Sequence, residues 1–73
     1  MNLAEYERRE VALHTKDGYT LEGVLLVAGE ECFVLTAVTR TDSDPHMQLG
    51  GEVVVPTRNV SFFQAVVRVA DAA

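Results

Sequence analysis

The sequence predicts a mainly β protein, a short N-terminal α-helix followed by a strongly bent, five-stranded small barrel. Three observations carry that expectation. Val11–Thr15 and Tyr19–Val27 alternate along their length on either side of Asp17-Gly18, the strongest short-range hairpin signal. Glu52–Val55 and Val60–Val67 are rich in β-branched and aromatic residues and flank Pro56-Thr57-Arg58-Asn59, which reads as a tight turn. All connections are short except one.

Residues 2–10 supply the helix. Asn2 can cap it, and Glu5 stands three places on, as in a capping box. Leu3 and Tyr6 share one face, which is expected to lie across one end of the sheet. Glu7, Arg8, Arg9 and Glu10 form a solvated face. In the first strand Val11, Leu13 and Thr15 point one way, Ala12 and His14 the other. Gly18 supplies the positive φ of the turn. The return strand places Tyr19, Leu21, Gly23, Leu25 and Val27 on one face, and Gly23 marks a bulge, a bend or a close backbone approach. Ala28-Gly29-Glu30-Glu31 is a turn. Cys32–Thr39 is apolar on both faces, Phe33, Leu35 and Ala37 against Cys32, Val34 and Val38, which predicts a central or covered strand. Residues 41–51 form the longest loop, rich in turn formers and ending in Gly-Gly. The strand pair around Asn59 follows, and after Arg68 the tail frays. The whole is expected to be one domain over residues 1–73, with the helix at about 2–10, the barrel at about 11–68 and the tail at 69–73.

Of the 73 residues, 48% are hydrophobic, more apolar surface than a lone small sheet hides readily. An open sheet would leave Val60–Val67 as an apolar edge, so closure or pairing with another chain is expected. The net charge of −5 disfavours a polyanion ligand and an anionic membrane surface. No apolar run approaches the ~20 residues of a membrane span. The first ten residues are too polar for a signal peptide, and the single Cys32 forms no internal disulfide, so the cytoplasm is the expected compartment.

Candidate chemistry is sparse. His14 is expected to face solvent. Asp42, Asp44 and His46 share a loop without metal-ligand spacing, and turn formation explains them better. Cys32, between Glu31 and Phe33, reads as core or subunit interface. Glu30 and Glu31 are adjacent and face opposite ways on an extended chain, a poor acid–base pair. Neither a catalytic triad nor a phosphate-binding loop occurs, so no enzyme, cofactor or metal is expected.

The order of these features resembles the Sm and Sm-like (LSm) family. Its first motif has a strand, an Asp-Gly turn and a bent strand with glycine before leucine, here Val11-Ala12-Leu13, Lys16-Asp17-Gly18 and Gly23-Val24-Leu25. Its second is a glycine before a β-branched strand, a tight turn, then Asn-Val, here Gly51-Glu52-Val53-Val54-Val55 and Asn59-Val60. The resemblance implies a bent five-stranded barrel. It also implies rings of roughly six or seven subunits, in which the fourth strand of one subunit pairs with the fifth of the next. Many members bind uridine-rich RNA through an Asp and an Asn near the turn between the second and third strands, and an Arg-Gly before the last strand. At those positions this sequence has Gly29-Glu30-Glu31, Phe33 and Pro56-Thr57, with Arg58 one place late. Two glutamates repeated around a ring would repel phosphate.

The favoured reading is therefore a non-enzymatic Sm-like module that self-assembles into a homo-oligomeric ring. Its edges would use Val53, Val55, Val60, Phe62, Phe63 and Val66, with Asp17, Gly18, Gly23 and Asn59 as turn and bend residues. The alternative is a single-stranded RNA binder with a divergent site at Arg58, Lys16 or Arg40. A protein partner for the acidic surface and a monomeric, peptide-binding SH3-like barrel are the remaining readings.

Overall fold

The computed structural model describes residues 2–66. A 3-10 turn, η1 (Leu3–Tyr6), leads into β1 (Glu10–Thr15), β2 (Thr20–Ala28), β3 (Cys32–Arg40) and β4 (Met47–Pro56). A second 3-10 turn, η2 (Thr57–Asn59), then leads into β5 (Val60–Ala65). All neighbours are antiparallel and the sheet order is β4-β3-β2-β1-β5. The expected five-stranded bent architecture is present.

The core forms on the concave side. Val11, Leu13, Leu21, Leu25, Phe33, Leu35, Val38 and Val55 are buried there, and Phe63, Val60, Val53, Leu49, Tyr6 and Leu3 pack against it. Phe63 meets Phe33 and Tyr6 edge-on, with ring centroids 5.7 and 5.4 Å away, so β5 and η1 are tied to the core by one run of aromatic contacts.

The bend follows from a crease that crosses three strands. At Gly23 an added Cβ would lie 2.7 Å from the Thr36 carbonyl oxygen and 3.0 Å from Val38 Cγ2. The β2–β3 register shifts at this level between Glu22 and Val24, and the β3–β4 register between Thr36 and Val38. Ala37 has φ 53° and Gly51 φ 74°, the left-handed backbone that such irregularities use. Sequence reasoning anticipated the Gly23 end of this crease.

The rest of the crease corrects three expectations. Gly50-Gly51 lies inside β4, so that strand runs over Met47–Pro56 rather than Glu52–Val55, and the β3–β4 loop shrinks from residues 41–51 to 41–46. The glycines absorb a register shift within a strand instead of ending a loop. On β3, the bulge at Ala37 reverses the alternation. Val38 joins Phe33 and Leu35 in the core while Ala37 is exposed.

The N-terminal helix is also shorter than expected. Asn2 does cap it, through Oδ1 accepting from Ala4 N–H at 3.0 Å, but it stops at Tyr6. The following residues are drawn to β2: Arg8 N–H donates to Leu25 O at 2.6 Å, Leu25 N–H to Arg9 O at 3.0 Å, and Ala28 N–H to the Glu7 carboxylate at 3.2 Å. A nine-residue helix is marginal alone, and sheet hydrogen bonds outcompete it here. At the other end, β5 stops at Ala65 rather than Val67; Val66 N–H still bonds Glu10 O at 2.9 Å. Val67, Arg68 and the tail at 69–73 lie outside the described residues. No helix among the described residues is long and apolar enough to cross a membrane.

The close approach at Gly23 sets a stability test. Gly23→Ala must displace backbone and is expected to cost about 1–3 kcal/mol in urea unfolding. Gly50→Ala meets open space and is expected to stay within about 0.5 kcal/mol. Equal effects would contradict the crease.

Candidate functional site

Three turns converge at one end of the barrel because η2 is clamped from both sides. Thr57 N–H donates to Glu31 O at 2.9 Å and Thr57 Oγ1 to Gly29 O at 2.8 Å, fixing the β2–β3 turn. Asn59 O accepts from Lys16 N–H at 2.8 Å, and Asn59 Nδ2 donates to Asp17 Oδ1 at 3.3 Å, fixing the β1–β2 turn. Thr15 supports that turn: its hydroxyl donates to Asp17 Oδ1 at 2.6 Å and accepts from Tyr19 N–H at 2.9 Å. The Thr15 hydroxyl, seconded by the Asn59 amide, holds the Asp17 carboxyl below its ordinary pKa. Gly18 has φ 99°, as the Asp-Gly turn requires.

The three basic residues marked in the sequence have different surroundings. Arg58 is exposed at the apex of η2 and shares a shallow cleft with Glu30, Glu31, Cys32 and Pro56. Arg58 forms no salt bridge with Glu30; among the described residues the ion pair is Arg40–Asp42. Thr57 and Asn59 spend their hydrogen bonds on the two neighbouring turns, and the Arg58 side chain has no partner acid among the described residues. Lys16 is exposed on the opposite flank of η2. Arg40 is engaged: Nε and Nη2 donate to the Asp42 carboxylate at 3.0–3.1 Å, and the guanidinium lies 4.3 Å from the Tyr19 ring centroid. The Arg40 bonds, and then Thr20 N–H at 3.0 Å, lower the Asp42 pKa to about 2. Asp42 is thereby committed to its own hairpin rather than to His46.

The second candidate feature is the pair of open edges. Among the described residues β4 pairs only with β3, and β5 only with β1. Val55 is a core residue, so its side chain is spent inside, while Val53, Val60 and Phe63 are half-buried against the core and Val66 is half-buried. Phe62 points outward, 54% exposed, and stacks on His14 at 4.3 Å. His14 is half-buried rather than free in solvent, held by Gln64 Oε1 at 3.0 Å and the Thr20 hydroxyl at 3.3 Å. Cys32 is a half-buried free thiol. Sequence reasoning missed Val54, the most exposed large apolar residue described, at 60%. Alternation would have found it, since inward Val53 and Val55 leave Val54 outward. Beside it, Tyr19, Met47 and Leu49 line a cleft of about 290 Å³. A second groove of about 510 Å³ runs along the other edge, lined by Leu3, Tyr6, Phe62 and Phe63 among others.

A solved archaeal heptameric Sm protein matches with TM-score 0.79 over 89% of this chain and 96% of that one, at 20% identity. The fold is Sm-like. A chain in the crystal structure of the NatC complex bound to CoA also matches, with TM-score 0.76, 18% identity, and coverage of 90% of this chain and 86% of that one. Neither a family model nor a curated protein matches the sequence. At the marked positions, this Sm-like barrel presents the exposed Glu30 and Glu31 and the exposed Arg58, while Phe33 is buried in the core.

The Arg40–Asp42 pair gives a pH prediction. The folded-state pKa of Asp42 lies below its ordinary value of 3.8, so its stabilising contribution is complete above about pH 4 and is lost as pH falls towards 2. Thermal melts are expected to show the midpoint falling across this window. Asp42→Asn should lower the midpoint at neutral pH and flatten the acid fall; an unchanged acid profile would contradict the assignment.

Proposed function

We propose that this chain is a single-domain, non-enzymatic assembly module that closes into a homo-oligomeric ring of roughly six or seven copies by pairing β4 of one copy with β5 of the next. One observation carries this reading: among the described residues the sheet ends in two strands paired along one edge only, and each presents an exposed apolar residue, Val54 on β4 and Phe62 on β5. Unprotected apolar edges are an aggregation hazard that ring closure removes. The two edges differ from each other, so their contact is head-to-tail, the type that generates rings. The heptameric assembly of the archaeal Sm protein is in keeping with it.

RNA is the less favoured ligand. Beside Glu30 and Glu31 the turn cluster sets only Arg58, with Lys16 on the opposite flank of η2, and Phe33 cannot stack on a base from inside the core. The net charge of −5 adds to the repulsion. An acidic ring surface instead suits a protein partner.

Native mass spectrometry at moderate ionic strength tests the ring. A single closed oligomer is expected, and Val54→Lys or Phe62→Lys should convert it to monomer; a monomeric parent chain would overturn the reading. Fluorescence anisotropy with a uridine-rich oligonucleotide at low salt should show no binding. Salt-dependent binding lost in Arg58→Ala would move the conclusion to RNA.

A further inference from the structure

Ring closure through β4 and β5 still requires a register, and the described side chains select one. Pro56 ends β4 and Val60 opens β5, on either side of η2. In copies related by rotation about one axis, every η2 lies at the same height and radius. β4 of one copy and β5 of the next then run antiparallel with their η2 ends together. Two residues back from Pro56 is Val54, and two residues on from Val60 is Phe62. These are the most exposed large apolar residues described on each of the two strands. We propose that adjacent copies pair in the register that sets Val54 opposite Phe62 of the next copy. The inference rests on the ring proposed above and deepens it.

The neighbouring positions agree with this register. Val53 meets Phe63, and both face the core; Glu52 meets Gln64, and both are exposed. Towards η2, β5 carries an irregularity between the partners of His14 and Thr15, which leaves Ser61 as an extra residue. Inward Val55 therefore meets inward Val60. A slip of one residue would set outward Phe62 against inward Val53 or Val55 and reverse the faces of the following side chains. A slip of two would oppose Phe62 to the charged Glu52 or to Pro56, which has no N–H for the ladder. The stack on His14 fixes the Phe62 ring before contact, which lowers the entropy lost on docking. The cleft formed by Tyr19, Met47 and Val54 gives that ring a surface to cover.

Cysteine pairing reads the register directly. Opposed residues on antiparallel strands have Cα atoms ~4.5–5.5 Å apart, within disulfide reach. In a Cys32→Ser background, chains carrying Val54→Cys are mixed with chains carrying Phe62→Cys and oxidised mildly. Disulfide-linked dimers at twice the chain mass are expected. The slipped pair, Val54→Cys with Phe63→Cys, and the off-edge control, Val27→Cys with Phe62→Cys, should give at least about tenfold less. A second pair in the same register, Glu52→Cys with Gln64→Cys, serves if loss of Val54 or Phe62 prevents assembly. If native mass spectrometry shows a closed oligomer but a slipped or control pair links as fast, the register is overturned and the ring stands. A monomeric parent chain overturns both.

Discussion

The approach of two backbones at Gly23 is the constraint on which the rest of this fold depends. The Thr36 carbonyl occupies the space a side chain would need, so β2 and β3 can fold sharply over each other there. Ala37 and Gly51 continue the irregularity into β3 and β4. Because the sheet creases along one line, its two halves close on a single concave core from a short chain. Among the described residues β4 and β5 form no ladder with each other, and turns and aromatic contacts hold β5 to the core instead.

The clamped turns follow from that geometry. Strands that bend over one another bring the 16–18, 29–31 and 57–59 turns to one end, where Thr57 and Asn59 lock them together. Rigid turns then fix which charges stand at that end. Glu30, Glu31 and Arg58 are held there on short, hydrogen-bonded backbone. The chemistry of this end is set by side chains, while its shape is set by the fold, and the two need not serve the same ligand.

Much of the scaffold was legible from the residues. Alternation located β1 and β2, Asp17-Gly18 gave the hairpin and Gly23 announced the bend, whereas Phe63, expected at an edge beside Phe62, packs against the core. The misses share a cause. A bulge inserts one residue and reverses the alternation beyond it, so Val38 and the Gly50-Gly51 segment were placed on the wrong face or in the wrong element. Propensity suggested a longer helix at the N-terminus because it does not register hydrogen bonds offered by β2. At the candidate site, Arg40 looked like a free cation because its partner Asp42 reaches it only through the geometry of the β3–β4 loop. Val54 was hidden in a run of three valines that composition alone does not divide into inside and outside.

The sheet order places β5, the last of the described strands, beside β1, the first of them. During synthesis on the ribosome, β1 to β4 can form a meander in the order they emerge, but one flank of β1 stays open until residues 60–65 are available. Phe63 must also arrive before Tyr6 and Phe33 find their ring contacts. The nascent chain therefore holds one flank of β1 open until residues 60–65 emerge, and the strand that seals the core also carries the outward Phe62.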